Sequence, residues 1–119
     1  MGACAGKYNI IADQGATFSR TVTWLGSNGQ PINLSGYTAR MQVRQRYVST
    51  STVLSLTSSP AAGISLGTSN GEITITVSAS SMAAVEAGEY RYDLELISGS
   101  GVVTRLLMGS FTVQAEVTR

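Results

Sequence analysis

Histidine is missing from this sequence altogether, cysteine occurs once, as Cys4, and proline only twice. Without histidine there is no Ser-His or Cys-His nucleophile pair, no imidazole base, and few ways to build a zinc site. A single cysteine cannot close an intrachain disulfide, so no disulfide framework holds the fold. Charge is scarce as well: 13% of the 119 residues, eight basic against seven acidic, for a net of +1. A near-neutral chain exerts no general pull on nucleic acid or an anionic membrane, and neither is expected as a partner. Apolar runs stop at three or four residues, far below the roughly 20 of a spanning helix. Hydrophobic residues still make up 43% of the chain, and with so little charge that argues against disorder.

What the sequence has in quantity is hydroxyls, 16 Ser and 13 Thr, and it has period-two alternation. Thr suits strands, and Ser with Gly suits turns. From Thr17 to Trp24 the apolar parity holds Phe18, Val22 and Trp24, with Arg20 interrupting it. From Tyr37 to Arg46 it holds Tyr37, Ala39, Met41 and Val43. Ile73, Ile75 and Val77 alternate with polar residues, as do Tyr90, Tyr92, Leu94 and Leu96, and then Phe111, Val113, Ala115 and Val117. Such half-buried strands belong to antiparallel sheets with one face on a core. Tyr8–Ala12, Val53–Thr57 and Val102–Met108 are weaker strands, for about eight in all.

Turn chemistry falls at Ser27-Asn28-Gly29, Ser69-Asn70-Gly71 and Ser98–Gly101, where Asn and Gly tolerate positive φ. Ser80 to Gly88 breaks the alternation. Ser80 or Ser81 can cap a short helical turn there, and Gly88 can end it. The fold class is all-β: an Ig-like antiparallel β-sandwich of about eight strands with one short helical turn. Residues 1–7 read as a flexible leader and 8–119 as the sandwich domain. Trp24 is expected to anchor the core, because Phe18 and Val22 share its face.

Few residue groups point to chemistry. Asp93 and Glu95 share a strand face about 7 Å apart along the chain, a spacing that a glycoside hydrolase could use. Arg91 shares that face, and mixed-charge strand faces of this kind are ordinarily solvated, so no catalytic residue is assigned and no metal or cofactor is expected. Arg40, Arg44 and Arg46 lie on one parity and form the candidate protein-contact stripe. Residues 1–60 carry a net +4 and residues 61–119 a net −3. Opposite signs on the two halves suit contacts with copies of the chain or with neighbouring proteins. Tyr47 lies beyond the apolar stretch of its strand and is the one aromatic that could serve a carbohydrate-binding module contacting a host glycan, the alternative function.

Two stretches carry a resemblance. The first is Gly29-Gln30-Pro31-Ile32-Asn33-Leu34-Ser35-Gly36-Tyr37, running on to Arg44. The second is Ala87-Gly88-Glu89-Tyr90-Arg91-Tyr92-Asp93-Leu94-Glu95-Leu96, followed by Arg105–Val113. Together they resemble the N-terminal domain of tailed-phage baseplate upper proteins and related small virion proteins, over roughly residues 8 to 117. The resemblance implies an Ig-like adaptor in a virion, assembled in the host cytoplasm as many copies beside other virion proteins, and no catalysis. The physics of the first stretch agrees. Pro31 lacks an amide donor, so the crossover is expected to be extended and unpaired there, with Ile32 or Leu34 plugging an open sandwich edge.

The strands Glu89–Ile97 and Val102–Met108 should form a hairpin. A three-residue loop, Gly99-Ser100-Gly101, pairs Ser98 with Val102 and puts Gly in αL at the last loop position. That register sets Glu95 opposite Arg105, Leu94 opposite Leu106, Asp93 opposite Leu107 and Tyr92 opposite Met108. A two-residue or four-residue loop would instead set Leu94 opposite Arg105.

Overall fold

The chain alternates because it folds as two sheets pressed face to face, and the computed structural model describes residues 6–46, 52–59, 61–68 and 70–115 of it. In order, the elements are β1 (Gly6–Lys7), β2 (Ile10–Asp13), β3 (Phe18–Thr23), β4 (Thr38–Arg44), β5 (Leu54–Ser58), β6 (Ala61–Ala62), β7 (Ile64–Leu66), β8 (Glu72–Val77), α1 (Ala79–Ala83), β9 (Gly88–Ile97) and β10 (Val103–Gln114). The large sheet runs β1-β10-β9-β4-β5-β6, with β2 also on β10, and the small sheet runs β3-β8-β7. With β1 and β2 taken as strand A, these are the orders A-G-F-C-C′-C″ and B-E-D of an immunoglobulin-type sandwich. The first strand pairs with the last in parallel, Gly6 with Leu107 and Ile10 with Phe111. Among the described residues pairing begins at Gly6, inside the expected leader.

The apolar parities meet between the sheets. Phe18 and Trp24 come from β3 and its end; Ala39, Met41 and Val43 from β4; Ile73, Ile75 and Val77 from β8; Tyr92, Leu94 and Leu96 from β9; and Phe111 and Val113 from β10. Trp24 is buried and stands edge-on to Tyr37 at 5.8 Å, so it anchors the core as expected. Arg20, the interruption on that face, donates to the Tyr8 hydroxyl at 2.5 Å and lies over the Tyr8 and Phe18 rings. Its charge is thereby kept at the edge of the core on aromatic faces. Tyr90, near the start of β9, donates its hydroxyl to the Glu86 carbonyl at 2.6 Å. That bond back to the preceding corner is the tyrosine corner of immunoglobulin-type folds, and Tyr92 stands where antibody domains carry their second cysteine.

Three expectations need correction. The helical turn is capped by Ser78, whose Oγ accepts from Ser81 N at 3.2 Å, and it ends at Ala84; Gly88 opens β9. Ser78 is the first residue after β8 whose extended backbone can turn its side chain onto the helix start, so it takes the cap before Ser80 or Ser81 can. Pro31 is not outside pairing: it bridges Leu25, flanked by bonds from Gly26 N to Gln30 O and from Ile32 N to Trp24 O. It occupies the non-hydrogen-bonded position of that bridge, where its missing N–H is not needed. Leu34 is fully buried and Ile32 packs beside the core, so the crossover does plug the sandwich.

In β10 two expected strands are one, Val103–Gln114. Near the loop the three-residue register holds: Ser98 N donates to Val102 O at 2.9 Å, Gly101 has φ +92°, and Glu95 faces Arg105. Leu106 is then an extra residue, so Leu94 faces Leu107, Asp93 faces Met108 and Tyr92 faces Gly109. A β-bulge of this kind shifts every later pair by one. Gly109 is where the first strand breaks between β1 and β2. A Cβ there would lie 2.5 Å from the Tyr8 carbonyl oxygen, which also accepts from Tyr92 Oη at 2.6 Å.

Gly109→Ala should therefore force the first strand outward and destabilise the domain by about 1–3 kcal/mol. Gly99→Ala, whose Cβ meets only ordinary contact with Gly36 O at 3.5 Å, should stay close to wild type. Urea denaturation compares them; equal midpoints would contradict the close approach at Gly109.

Candidate interaction surface

The outward parity of the large sheet gathers most of the chain's charge. Ladder pairing of β4 with β9 sets Arg40 opposite Glu95, Gln42 opposite Asp93 and Arg44 opposite Arg91. Pairing of β9 with β10 adds Arg105 opposite Glu95 and Met108 opposite Asp93, and β1 adds Lys7 opposite Met108. The outer face is thus a grid of guanidinium and carboxylate groups, one strand spacing apart.

The side chains pair within that grid. Arg40 Nε lies 2.7 Å from Glu95 Oε1, Arg105 Nε 3.4 Å from Asp93 Oδ2, and Arg91 Nη1 3.7 Å from Glu89 Oε1. Arg44 Nη2 donates to Gln42 Oε1 at 2.7 Å. Glu95 and Arg105 are ladder partners, as the hairpin register requires, but Glu95 turns to Arg40 on its other side. Arg105 reaches the diagonal carboxylate instead, a distance long side chains cover easily. Burial pushes the Asp93 carboxyl above its ordinary value and Glu95 adds to the rise, while Arg105, Arg44 and Arg40 pull it back.

Of the expected contact stripe, Arg40 and Arg44 share the outer face of β4. Arg46 lies beyond the strand, in the bend that follows Arg44, and is exposed. Within the stripe Arg40 faces Glu95, while Arg44 stands opposite Arg91 and is close enough to Asp93 to pull on its carboxyl. Asp93 and Glu95 do share one face, each beside a guanidinium, which is the arrangement of a charged outer surface. Among the described residues no group of three or more Cys, His, Asp or Glu could hold a metal, and no helix is long and apolar enough to cross a membrane. Trp24, Tyr90 and Tyr92 are buried, and Tyr47 lies outside the described residues.

Sequence reasoning gave no sign of an open depression of about 430 Å³ lined by Lys7, Asn9, Glu89, Arg91, Met108, Gly109 and Ser110. It exists because the first strand joins the last in parallel, a pairing that local alternation does not encode. Asn9 Oδ1 accepts from Ser110 N at 3.2 Å and pins its floor. No family model matches the chain, and no curated protein matches it significantly.

Asp93→Asn gives a test of this electrostatic environment. A carboxyl raised in the folded state favours folding most below its ordinary value near 3.8, and that contribution is lost as pH rises through the raised value. The exposed partner Arg105 is worth at most about 1 kcal/mol. Melting temperatures of the variant relative to wild type should therefore improve from pH 3 to pH 7. A difference that worsens with pH would mean that the ion pair outweighs burial.

Proposed function

We propose that this chain is a structural protein of a bacteriophage virion, a small non-catalytic adaptor or decoration domain of the baseplate, tail or head-to-tail region, present in many copies. The observation that carries the reading is the outer face of β4, β9 and β10, which turns away from the core and interleaves Arg40, Arg44, Arg91 and Arg105 with Glu89, Asp93 and Glu95. Arg is enriched at protein interfaces, where its planar head meets carboxylates in fixed geometry. A face of both signs selects partner and orientation more than it adds affinity, which is what a repeated position in an assembly demands. The resemblance of residues 29–44, 87–96 and 105–113 to the N-terminal domain of baseplate upper proteins and related small virion proteins supplies the virion context. Arg40 and Arg44, with Arg46 at the strand end, are the residues assigned to contact copies of the chain or other virion proteins.

Antibody raised against the purified chain should label intact particles at one fixed location in immunogold electron microscopy. Particles without label, and without the chain by mass spectrometry, would overturn the reading. Arg44→Glu should lower incorporation into particles about tenfold or more, a loss of 1.4 kcal/mol being one factor of ten, while the purified variant melts cooperatively. Incorporation at the wild-type level would remove Arg44 from the contact.

A further inference from the structure

Among the described residues the small sheet stops at β3, and the outer side of β3 is suited to continue it. Trp24 N donates to Gly71 O at 2.8 Å, and the β3–β8 register carries that position down the strand as Val22–Ile73, Arg20–Ile75 and Phe18–Val77. Hydrogen-bonded pairs alternate in an antiparallel ladder, so these residues turn their N–H and C=O toward β8. The N–H and C=O of Ser19, Thr21 and Thr23 therefore point the other way, where no described strand pairs with them. Natural sheets usually blunt such an edge with Pro, Lys, a bulge or a covering segment. β3 carries neither Pro nor Lys, and its register with β8 is unbroken over six pairs. Its outward side chains are the exposed hydroxyls of Ser19, Thr21 and Thr23. Its single charge, Arg20, lies on the core-facing parity and is held by Tyr8.

We propose that this edge pairs with the β3 edge of a second copy of the chain, antiparallel about a two-fold axis through Thr21. Self-complementarity identifies the occupant. That pairing sets Thr21 against Thr21 and Ser19 against Thr23, so each open donor meets an open acceptor. The outward side chains form Thr–Thr and Ser–Thr pairs, which favour cross-strand association, and no like charges face each other. Thr21 Oγ1 already lies 3.1 Å from Thr74 Oγ1 across the β3–β8 pair, so a row of hydroxyls continues from one copy into the next. The two-fold closes the contact at two copies and two three-stranded sheets become one. The charged grid belongs to the other sheet, so this contact stands or falls independently of the virion role.

Sedimentation equilibrium and amide exchange on the whole chain test the proposal. Wild type should show a monomer–dimer equilibrium, with the amides of Ser19, Thr21 and Thr23 slowing as the dimer forms and those of Arg20 and Val22 protected throughout. Thr21→Glu and Thr21→Lys change an exposed position and should each be monomeric, because like charges meet across the axis. Mixed in equal amounts, the two variants should restore the dimer. A wild-type chain that stays monomeric at millimolar concentration would overturn the proposal, as would a dimer indifferent to both substitutions. So would a mixture that remains monomeric although each variant melts as wild type does.

Discussion

One inserted residue, Leu106, decides which side chains of the last strand enter the core. Arg105, Leu107, Gly109, Phe111 and Val113 are all odd-numbered, so an unbroken strand would put a guanidinium on the same face as Phe111. The bulge flips the parity. Arg105 turns outward beside Asp93, while Phe111 and Val113 turn inward, Phe111 edge-on to Phe18 at 5.6 Å and to Tyr92 at 6.4 Å. Gly109 falls on the inward side at the point where the first strand crosses closely, and a Cβ there would press on the Tyr8 carbonyl. Core, charged face and the docking of the first strand all follow from this shift.

The two outer faces of the sandwich consequently differ in kind. The large sheet presents paired charges, because β4 and β9 bring basic and acidic parities into adjacent columns and β10 adds Arg105. The small sheet presents hydroxyls, Ser19, Thr21 and Thr23 beside Thr74 and Thr76, with Glu72 at one end. Charged groups discriminate between partners by sign and register. Hydroxyls and an open backbone edge favour the extension of a sheet. The two proposed contacts therefore draw on different sheets.

Much of the sandwich was legible because burial repeats every second residue. The core parities of β3, β4, β8 and β9 could be written from Phe18, Met41, Ile75 and Leu94 and their alternating neighbours, and the loop before Val102 from Gly101 alone. The bulge was not legible, because Leu106-Leu107-Met108 is apolar on both parities and offers no sign of where the register slips. For the same reason β10 reads as two strands. The parallel pairing of the first strand was hidden as well, since only tertiary contact brings Tyr8 and Gly109 together. The tyrosine corner had a signal in Tyr90 four residues after Glu86, but alternation alone assigns Tyr90 to the core and says nothing of its hydroxyl. On the charged face, alternation put Arg40 and Arg44 on the outward parity, where they lie. Glu95 does face Arg105 as the loop register requires, but its ion pair goes to Arg40, because a strand with neighbours on both sides offers two cations.

Cross-strand nuclear Overhauser contacts between β9 and β10 measure the bulge directly. Glu95 should face Arg105 and, beyond Leu106, Asp93 should face Met108 and Tyr92 should face Gly109. Contacts joining Asp93 to Leu107 and Tyr92 to Met108 would contradict it. They would return Arg105 and Phe111 to one face and dissolve the separation between core and charged surface.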